Sequence, residues 1–237
     1  LVPMSYVSAT HDRKSNNVVV WERNEAGERI SKHFPAPHYF YYDDPNGEHL
    51  TIYNTKVTKF DCTDQADIKQ AKAKFKSAGI RTWEADISPV ERVLSANYFD
   101  KPPPNLYTTF LDIEVDYTPS VGFSTIENPY APINSVALGH YWKRELVLIT
   151  VPPEPGWTAE RLRAEMDAIR PAAPLVNSSN LRIIMCDDEE ELLVYLLKEI
   201  QESDVISGWN SSLFDIPYIV QRVARVLDKV ELDLSYT

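Results

Sequence analysis

Three consecutive prolines, Pro102 to Pro104, divide this sequence of 237 residues into two parts with different patterns. Proline has no backbone N–H and a fixed φ, so it fits neither a helix interior nor a central strand. We therefore expect a domain boundary here, with one domain over residues 1–105 and a second over 106–237. The length is sufficient for two modest domains, each with its own core.

The first part is typical of a β-rich domain. Short apolar and aromatic runs such as Asn17–Trp21 and His38–Tyr42 are separated by turn-forming residues. One helix is expected over 64–78, with Asp64 as its N-cap and Gly79 in the position where a glycine commonly ends a helix. A layer of strands with one helix is the simplest prediction for this part.

The second part mixes strands and helices, which predicts an α/β (α+β) fold with a mixed sheet. The expected elements are strands over Tyr107–Val115, Ile133–Trp142 and Glu145–Val151, a helix over Thr158–Ile169, a strand over Leu181–Met185, a helix capped by Asp187 or Asp188, a buried strand over Val205–Ser207, and a helix with Asp215 as its N-cap and Pro217 in its first turn.

Two acidic side chains interrupt the first of these strands. Asp112 and Glu114 are one residue apart in an apolar run, so the period of two places both on one face. Two anions on a buried face repel each other strongly unless a cation neutralises them. Carboxylate oxygens suit a hard ion such as Mg²⁺ or Mn²⁺, so the pair is interpreted as a metal site. The alternative is that both are exposed residues of an edge strand.

The composition limits the ways in which this chain can bind nucleic acid. Its formal charge of −11 is unlike that of proteins that bind duplex DNA through a basic face. The four lysines of the first predicted helix are explained equally well by a solvated helix face. Metal ions, or polypeptide outside this sequence, would have to supply most of the binding.

The same composition indicates a cytoplasmic protein that is not in a membrane. No apolar run approaches the roughly 20 residues that span a bilayer. The two cysteines, Cys62 and Cys186, are far apart and are expected to be buried thiols in a reducing compartment.

A second short sequence completes a pattern found in a known protein family. Asp112-Ile113-Glu114, together with Asn210-x-x-x-Phe214-Asp215, resembles the first and second exonuclease motifs of family B DNA polymerases. The similarity is close over residues 107–226 and looser over 4–105. Within the family, the replicative polymerases of T-even-like bacteriophages are especially similar in the sequences Gly208-Trp209-Asn210, Phe214-Asp215-Ile216-Pro217-Tyr218, Gly122-Phe123 and Pro132-Ile133.

This resemblance implies an RNase H-like 3′→5′ exonuclease domain over 106–237, preceded by the family's N-terminal domain. It implies proofreading by two-metal hydrolysis with Mg²⁺ or Mn²⁺. In that mechanism Asp112 bridges both ions, Glu114 binds one ion and orients the attacking water, and Asp215 holds the second ion. Asp215 alone would also suit an ordinary N-cap, and the two roles are compatible.

Three further residues are candidates for contact with the single-stranded DNA end. Asn210 and Phe214 match motif positions that line the primer end, and Phe123 is a candidate for stacking on an unpaired nucleotide. Each also has a structural alternative. Asn210 suits a turn after a strand, Phe214 suits a core position, and Phe123 suits an aromatic packed under a loop.

The family's third motif, Tyr-x-x-x-Asp, is not found, because neither Asp228 nor Asp233 has the required context. We therefore expect the chain to be the N-terminal part of a phage DNA-directed DNA polymerase. Such an enzyme is both a transferase and a hydrolase and acts in the cytoplasm of the bacterial host. This part is expected to be catalytically incomplete by itself. The implied partners are single-stranded DNA, primer-template, the remainder of the polymerase and, indirectly, replisome proteins such as a sliding clamp.

Two alternatives remain open. In the first, the chain is a non-catalytic module that binds nucleic acid or a replication protein through aromatic residues of its first part, such as Tyr39–Tyr42. In the second, it is a stand-alone exonuclease unrelated to polymerases, which the missing third motif disfavours.

Overall fold

The computed structural model of the protein describes residues 5–169 and 180–227. The chain divides into two compact units between Asn105 and Leu106, called unit 1 and unit 2 below. Strands outnumber helices, and the mixed α/β class predicted from the sequence is confirmed. Within the described residues, no helix combines the length and the apolar character needed to cross a bilayer.

Unit 1 contains two antiparallel sheets and two helices in its described residues. Its elements are β1 (Tyr6–Asp12), β2 (Asn17–Arg23), β3 (Arg29–Pro35), β4 (Tyr39–Asp43), β5 (His49–Leu50), β6 (Lys56–Asp61), α1 (Gln65–Ser77), β7 (Thr82–Trp83) and α2 (Pro89–Tyr98). The first sheet has the order β1-β2-β3 and the second has the order β5-β6-β4-β7.

The helix α1 has the termini that the sequence predicts. The Asp64 carboxylate accepts a hydrogen bond from the Asp67 backbone N–H at 2.9 Å, which satisfies one of the free N–H groups of the first turn. After the last turn, Gly79 has a φ of +70°, a conformation that side chains with a Cβ rarely adopt.

The helix α2 was not among the predicted elements, although its sequence signal was present. Ser88 and Glu91 form a capping box, in which each side chain accepts a hydrogen bond from the other residue's backbone N–H. Pro89 occupies the first helical turn, where its missing N–H costs nothing. The buried face of α2 carries Val93 and Tyr98, which belong to the same core as Val18 and Val20.

Replacing Ser88 by alanine should lower the free energy of unfolding of unit 1 by about 1 kcal/mol, because the Glu91 N–H loses its acceptor. Urea unfolding followed by circular dichroism measures this. Ser77→Ala is the matched control. Ser77 also lies at a helix terminus, the C-terminus of α1, but its hydroxyl donates to the Lys74 carbonyl and does not accept from a backbone N–H at the start of a helix. Equal losses in the two variants would contradict a capping role for Ser88.

The described residues of unit 2 form one five-stranded mixed sheet. Its elements are β8 (Thr108–Val115), β9 (Ile133–His140), β10 (Glu145–Thr150), α3 (Ala159–Ile169), β11 (Asn180–Met185), α4 (Glu189–Ile200), β12 (Val205–Ser207) and α5 (Asp215–Val226). The strand order is β11-β10-β9-β8-β12. β9 runs antiparallel to both β8 and β10, whereas the outer strands β11 and β12 run parallel to β10 and β8, respectively. This arrangement is consistent with the predicted RNase H-like fold.

One face of this sheet is covered by α4 and α5. Asp188 caps α4, so the second of the two predicted caps is the one used. The shared core contains the strand residues Leu111, Ile113, Val136, Leu138, Val147 and Ile149, and the helix residues Leu192, Leu193, Leu196, Leu197, Tyr218, Ile219 and Val223. Alternate residues of β8 therefore point away from this core.

Two local predictions for unit 2 are wrong. The strand β12 is not buried but forms one edge of the sheet, and Val205 is exposed. The helix α5 begins at Asp215, and its N-cap is Phe214, which makes no side-chain capping hydrogen bond. The Asp215 carboxylate is not used as a cap because it bonds to β8 instead.

Candidate functional site

The strand β8 separates its apolar and acidic residues on opposite faces. Leu111 and Ile113 are buried in the core, whereas Asp112 and Glu114 are exposed. The predicted alternation is confirmed, but the expectation that the carboxylates share a buried face is wrong. The physical reason is that α4 and α5 cover only the face that carries Leu111 and Ile113.

The neighbours of these carboxylates in the sheet are small. Asp112 lies opposite Ala137 of β9, and Glu114 lies opposite Ser135. The alternative of an edge strand is excluded, because β8 lies between β9 and β12. However, β12 pairs with β8 only as far as Phe110, so the acidic half of β8 extends beyond its partner on that side.

The first residue of α5 contacts the acidic half of β8, on the side where β12 does not pair with it. The Asp215 carboxylate accepts a hydrogen bond from the Ile113 backbone N–H at 3.2 Å, across 102 positions of sequence. Ile113 is the residue between the two acidic residues of β8. Asp215 is only 5% exposed. The fold therefore brings a third, buried carboxylate to the strand segment that carries the other two.

The loop over 208–214 places α5 against β8. A Cβ on Gly208 would lie 2.2 Å from the Leu111 carbonyl oxygen, so only glycine allows this close approach. Asn210 follows with a φ of +58°, and its carbonyl accepts hydrogen bonds from the N–H groups of Leu213 and Phe214, both at 3.0 Å. This tight turn leads directly into the first turn of α5.

Burial raises the pKa of the Asp215 carboxyl above its ordinary value. Hydrogen bonds from its own backbone N–H and from that of Ile113 oppose this shift, and the negative charge of Asp112 adds to it. Within residues 5–169 and 180–227, none of the three carboxylates forms an ion pair with a basic side chain. A buried anion beside a second anion favours the binding of a cation.

The donor chemistry fits a hard divalent ion, since all three side chains offer carboxylate oxygens. The described residues nevertheless contain no group of three or more His, Cys, Asp or Glu side chains close enough to bind a metal ion. The expected convergence of Asp112, Glu114 and Asp215 is therefore not formed by the side chains as they stand. Like charges repel, and the two exposed carboxylates are free to point into water. The negative charge of Asp112 nevertheless contributes to the raised pKa of Asp215.

The three predicted substrate residues differ in their surroundings. Asn210 is exposed in the turn described above. Phe214 is half-buried, packs against the core and lies 5.3 Å from the Tyr218 ring, measured between ring centroids. Phe123 is 83% exposed and pairs with the ring of Tyr117 at 4.8 Å, so the alternative of a ring buried under its loop is wrong.

The sequence predictions missed other exposed apolar side chains on β8 and in the loop over 208–214. Trp209 is 93% exposed and Leu213 is also exposed, both in the loop over 208–214. Phe110 is exposed on β8, and the period of two already placed it on the same face as Asp112. No periodic signal identified Trp209 or Leu213, because irregular loops have none. The exposed rings of Phe110 and Trp209 are of the kind that can stack on unpaired bases.

Comparison with known proteins adds an independent finding. The sequence model of a family described as DNA polymerase family B, exonuclease domain, matches residues 32–234, which is most of the chain. Comparison with curated proteins gave no match.

Proposed function

Because the chain belongs to the family B DNA polymerase exonuclease domain family, we propose that it is the 3′→5′ proofreading part of a replicative DNA polymerase, with Asp112, Glu114 and Asp215 as catalytic carboxylates. The observation that supports these residues most directly is the hydrogen bond from the Ile113 N–H to Asp215. It links the α5 carboxylate to the backbone between the two β8 carboxylates.

The proposed site would hold Mg²⁺ or Mn²⁺. Bound divalent ions would activate a water molecule and stabilise the charge on the departing 3′ oxygen of a phosphodiester. Asp112 and Asp215 are the proposed principal ligands, because their charges already interact and Asp215 is held by the Ile113 N–H. Glu114, two residues along the same strand face, is proposed to orient the attacking water.

The charge distribution favours a single-stranded substrate that is bound by stacking and by metal ions. Residues 106–237 contain 21 acidic and 10 basic residues, whereas residues 1–105 contain 14 of each. An acidic unit has little attraction for phosphates at long range. The exposed side chains of Phe123, Tyr117 and Trp209 offer stacking surfaces that do not depend on charge.

The wider setting is also part of this proposal. Residues 1–105 would form the family's N-terminal domain and 106–237 the exonuclease domain, with the remainder of the polymerase and a primer-template as partners. The similarity of Gly208–Tyr218 to T-even-like phage polymerases supports a phage enzyme acting in the cytoplasm of a bacterial host. Without the third motif, the chain by itself is expected to bind strand ends and metal but to cleave DNA slowly or not at all.

A second candidate function is favoured by one face of the sheet β5-β6-β4-β7. The other face is covered by α1, where Phe75 packs on Phe40, Tyr42 and Phe60. The opposite face carries Tyr39 and Tyr41, which are both half-buried. The Arg92 guanidinium lies 3.7 Å and the Lys59 ammonium 4.3 Å from the centre of the Tyr39 ring, and Trp83 pairs with Tyr41 in the sheet. Rings combined with cations are typical of surfaces that bind single-stranded nucleic acid.

One binding experiment separates the two candidates. Fluorescence anisotropy measures the affinity of the chain for a labelled single-stranded DNA in Mn²⁺ and in EDTA. The exonuclease proposal predicts binding that requires Mn²⁺, weakens in Phe123→Ala and is unchanged in Tyr41→Ala. Binding that is unaffected by EDTA and is lost in Tyr41→Ala would contradict that proposal and support the nucleic-acid module in unit 1.

A further inference from the structure

One stripe of α5 connects the catalytic region to the loop between β8 and β9, which covers residues 116–132 and is called the β8–β9 loop. The stripe consists of Asp215, Tyr218, Arg222 and Arg225, whose spacings of three, four and three residues place them on one face of the helix. Asp215 contacts β8. The other three side chains contact the β8–β9 loop.

The Tyr218 hydroxyl joins two points of this loop. It is fully buried and lies 2.7 Å from both the Ala131 carbonyl oxygen and the Ser124 Oγ. Ser124 Oγ in turn donates to the Asn128 carbonyl at 3.1 Å and accepts from the Ala131 N–H at 3.3 Å. A single tyrosine oxygen therefore organises the segment over 124–131.

Two arginines of the same stripe hold the middle of this segment. The Pro129 carbonyl accepts hydrogen bonds from Arg222 at 2.9 Å and from Arg225 at 2.6 Å. The buried charge of Arg222 is neutralised by Glu189 of α4, whose carboxylate also accepts from the Ile133 N–H at 2.8 Å. The contacts with α4 and α5 thus fix the loop up to the start of β9.

The other half of the loop carries an exposed pair of rings, Tyr117 and Phe123. Between them the chain turns back on itself, with a β-bridge from Thr118 to Gly122 and a φ of +92° at Gly122. The Tyr130 hydroxyl donates to the Gly122 carbonyl, which connects this turn to the anchored segment. The ring pair is therefore linked to α5 through a continuous series of hydrogen bonds.

We propose that Tyr218 is a positioning residue for the DNA strand end, which acts by holding the β8–β9 loop so that Phe123 stacks on the terminal base while the carboxylates face the scissile phosphate. The inference rests on the proposed exonuclease function and assigns a role to a residue that touches neither substrate nor metal. Its physical basis is that one rigid helix contacts both β8 and the loop. The helix therefore sets the distance between the carboxylates and the ring pair.

A double-mutant cycle tests this inference. The full chain in Mn²⁺ is titrated against a single-stranded DNA with 2-aminopurine at its 3′ end, whose fluorescence reports stacking of the terminal base. Phe123→Ala should weaken binding about tenfold and lose the fluorescence change. Tyr218→Phe should weaken binding about fivefold. In the double variant the effect of Tyr218→Phe should disappear, because Tyr218 acts through Phe123.

Two further variants keep the test specific. Ser124→Ala removes one partner of the Tyr218 hydroxyl and should lower affinity in the same direction as Tyr218→Phe. Tyr195→Phe is the matched control, since its ring packs against the same core but, among the described residues, its hydroxyl forms no hydrogen bond to the β8–β9 loop. It should leave both the affinity and the fluorescence unchanged.

Several outcomes would overturn the inference. A Tyr218→Phe variant that lowers only the melting temperature would show a purely structural role. An effect of Tyr218→Phe on affinity that persists unchanged in the Phe123→Ala background would exclude action through that ring. Failure of the proposed function looks different, since wild-type binding would then be insensitive both to Mn²⁺ and to Phe123→Ala.

Discussion

Replacement of Asp112 by alanine is expected to weaken Mn²⁺ binding by about 100-fold or more, because it removes one of the two carboxylates whose charges interact. The loss should be larger than for a peripheral acidic residue, since Asp215 is buried and cannot move easily to compensate. Isothermal titration calorimetry, or electron paramagnetic resonance of free Mn²⁺, measures the affinity directly.

The matched control for this prediction is Asp61→Ala. Asp61 is also an exposed aspartate of a strand, but it lies in β6, outside the proposed site, and its carboxylate pairs with Lys59 at 2.6 Å. Its replacement should leave Mn²⁺ affinity unchanged. Equal affinities for wild type and Asp112→Ala would remove Asp112 from the proposed site.

Replacement of Asp215 by asparagine is expected to stabilise the metal-free protein while it abolishes stabilisation by metal. Asparagine keeps an oxygen to accept the Ile113 N–H but carries no charge, so it relieves both the burial of an anion and its repulsion by Asp112. In EDTA at neutral pH, the melting temperature of unit 2 should rise by about 2 °C. Differential scanning calorimetry measures the change.

The pH dependence of this effect has a definite sign. The pKa of Asp215 is raised in the folded protein, so the folded state binds its proton more tightly than the unfolded state does. The destabilisation by the ionised carboxyl is fully present above the folded pKa and disappears as the pH falls to the unfolded value. The stability difference between Asp215→Asn and wild type should therefore shrink on acidification.

Addition of metal should reverse the order of stability. At a Mn²⁺ concentration about 100 times the dissociation constant, the wild type should gain about 2.7 kcal/mol of unfolding free energy, because the ion binds only the folded state. The asparagine variant should gain little. The exposed Asp61→Asn should respond to Mn²⁺ as the wild type does. A less stable Asp215→Asn in EDTA, or equal gains from Mn²⁺ in both proteins, would contradict the assigned role of Asp215.

Most secondary-structure elements could be predicted from local sequence signals. The alternation in β8 and the caps of α1 and α4 depend on neighbours within a few residues, and the structure agrees with them. The same kind of signal was available for α2 in the Ser88 capping box and was overlooked. The start of α5 was predicted one residue too late, because a local rule assigned the Asp215 carboxylate to capping the helix. That carboxylate instead accepts a hydrogen bond from a distant strand.

The sequence by itself determined which residue types recur on each face of β8 and which motifs mark the family, because periodicity and spacing are properties of the chain. Only the tertiary structure decided that the acidic face is open, that Asp215 is buried beside it, and that Tyr218 anchors the β8–β9 loop. The physical reason is that burial and the choice of hydrogen-bond partner depend on which elements pack together. Those contacts join residues about a hundred positions apart.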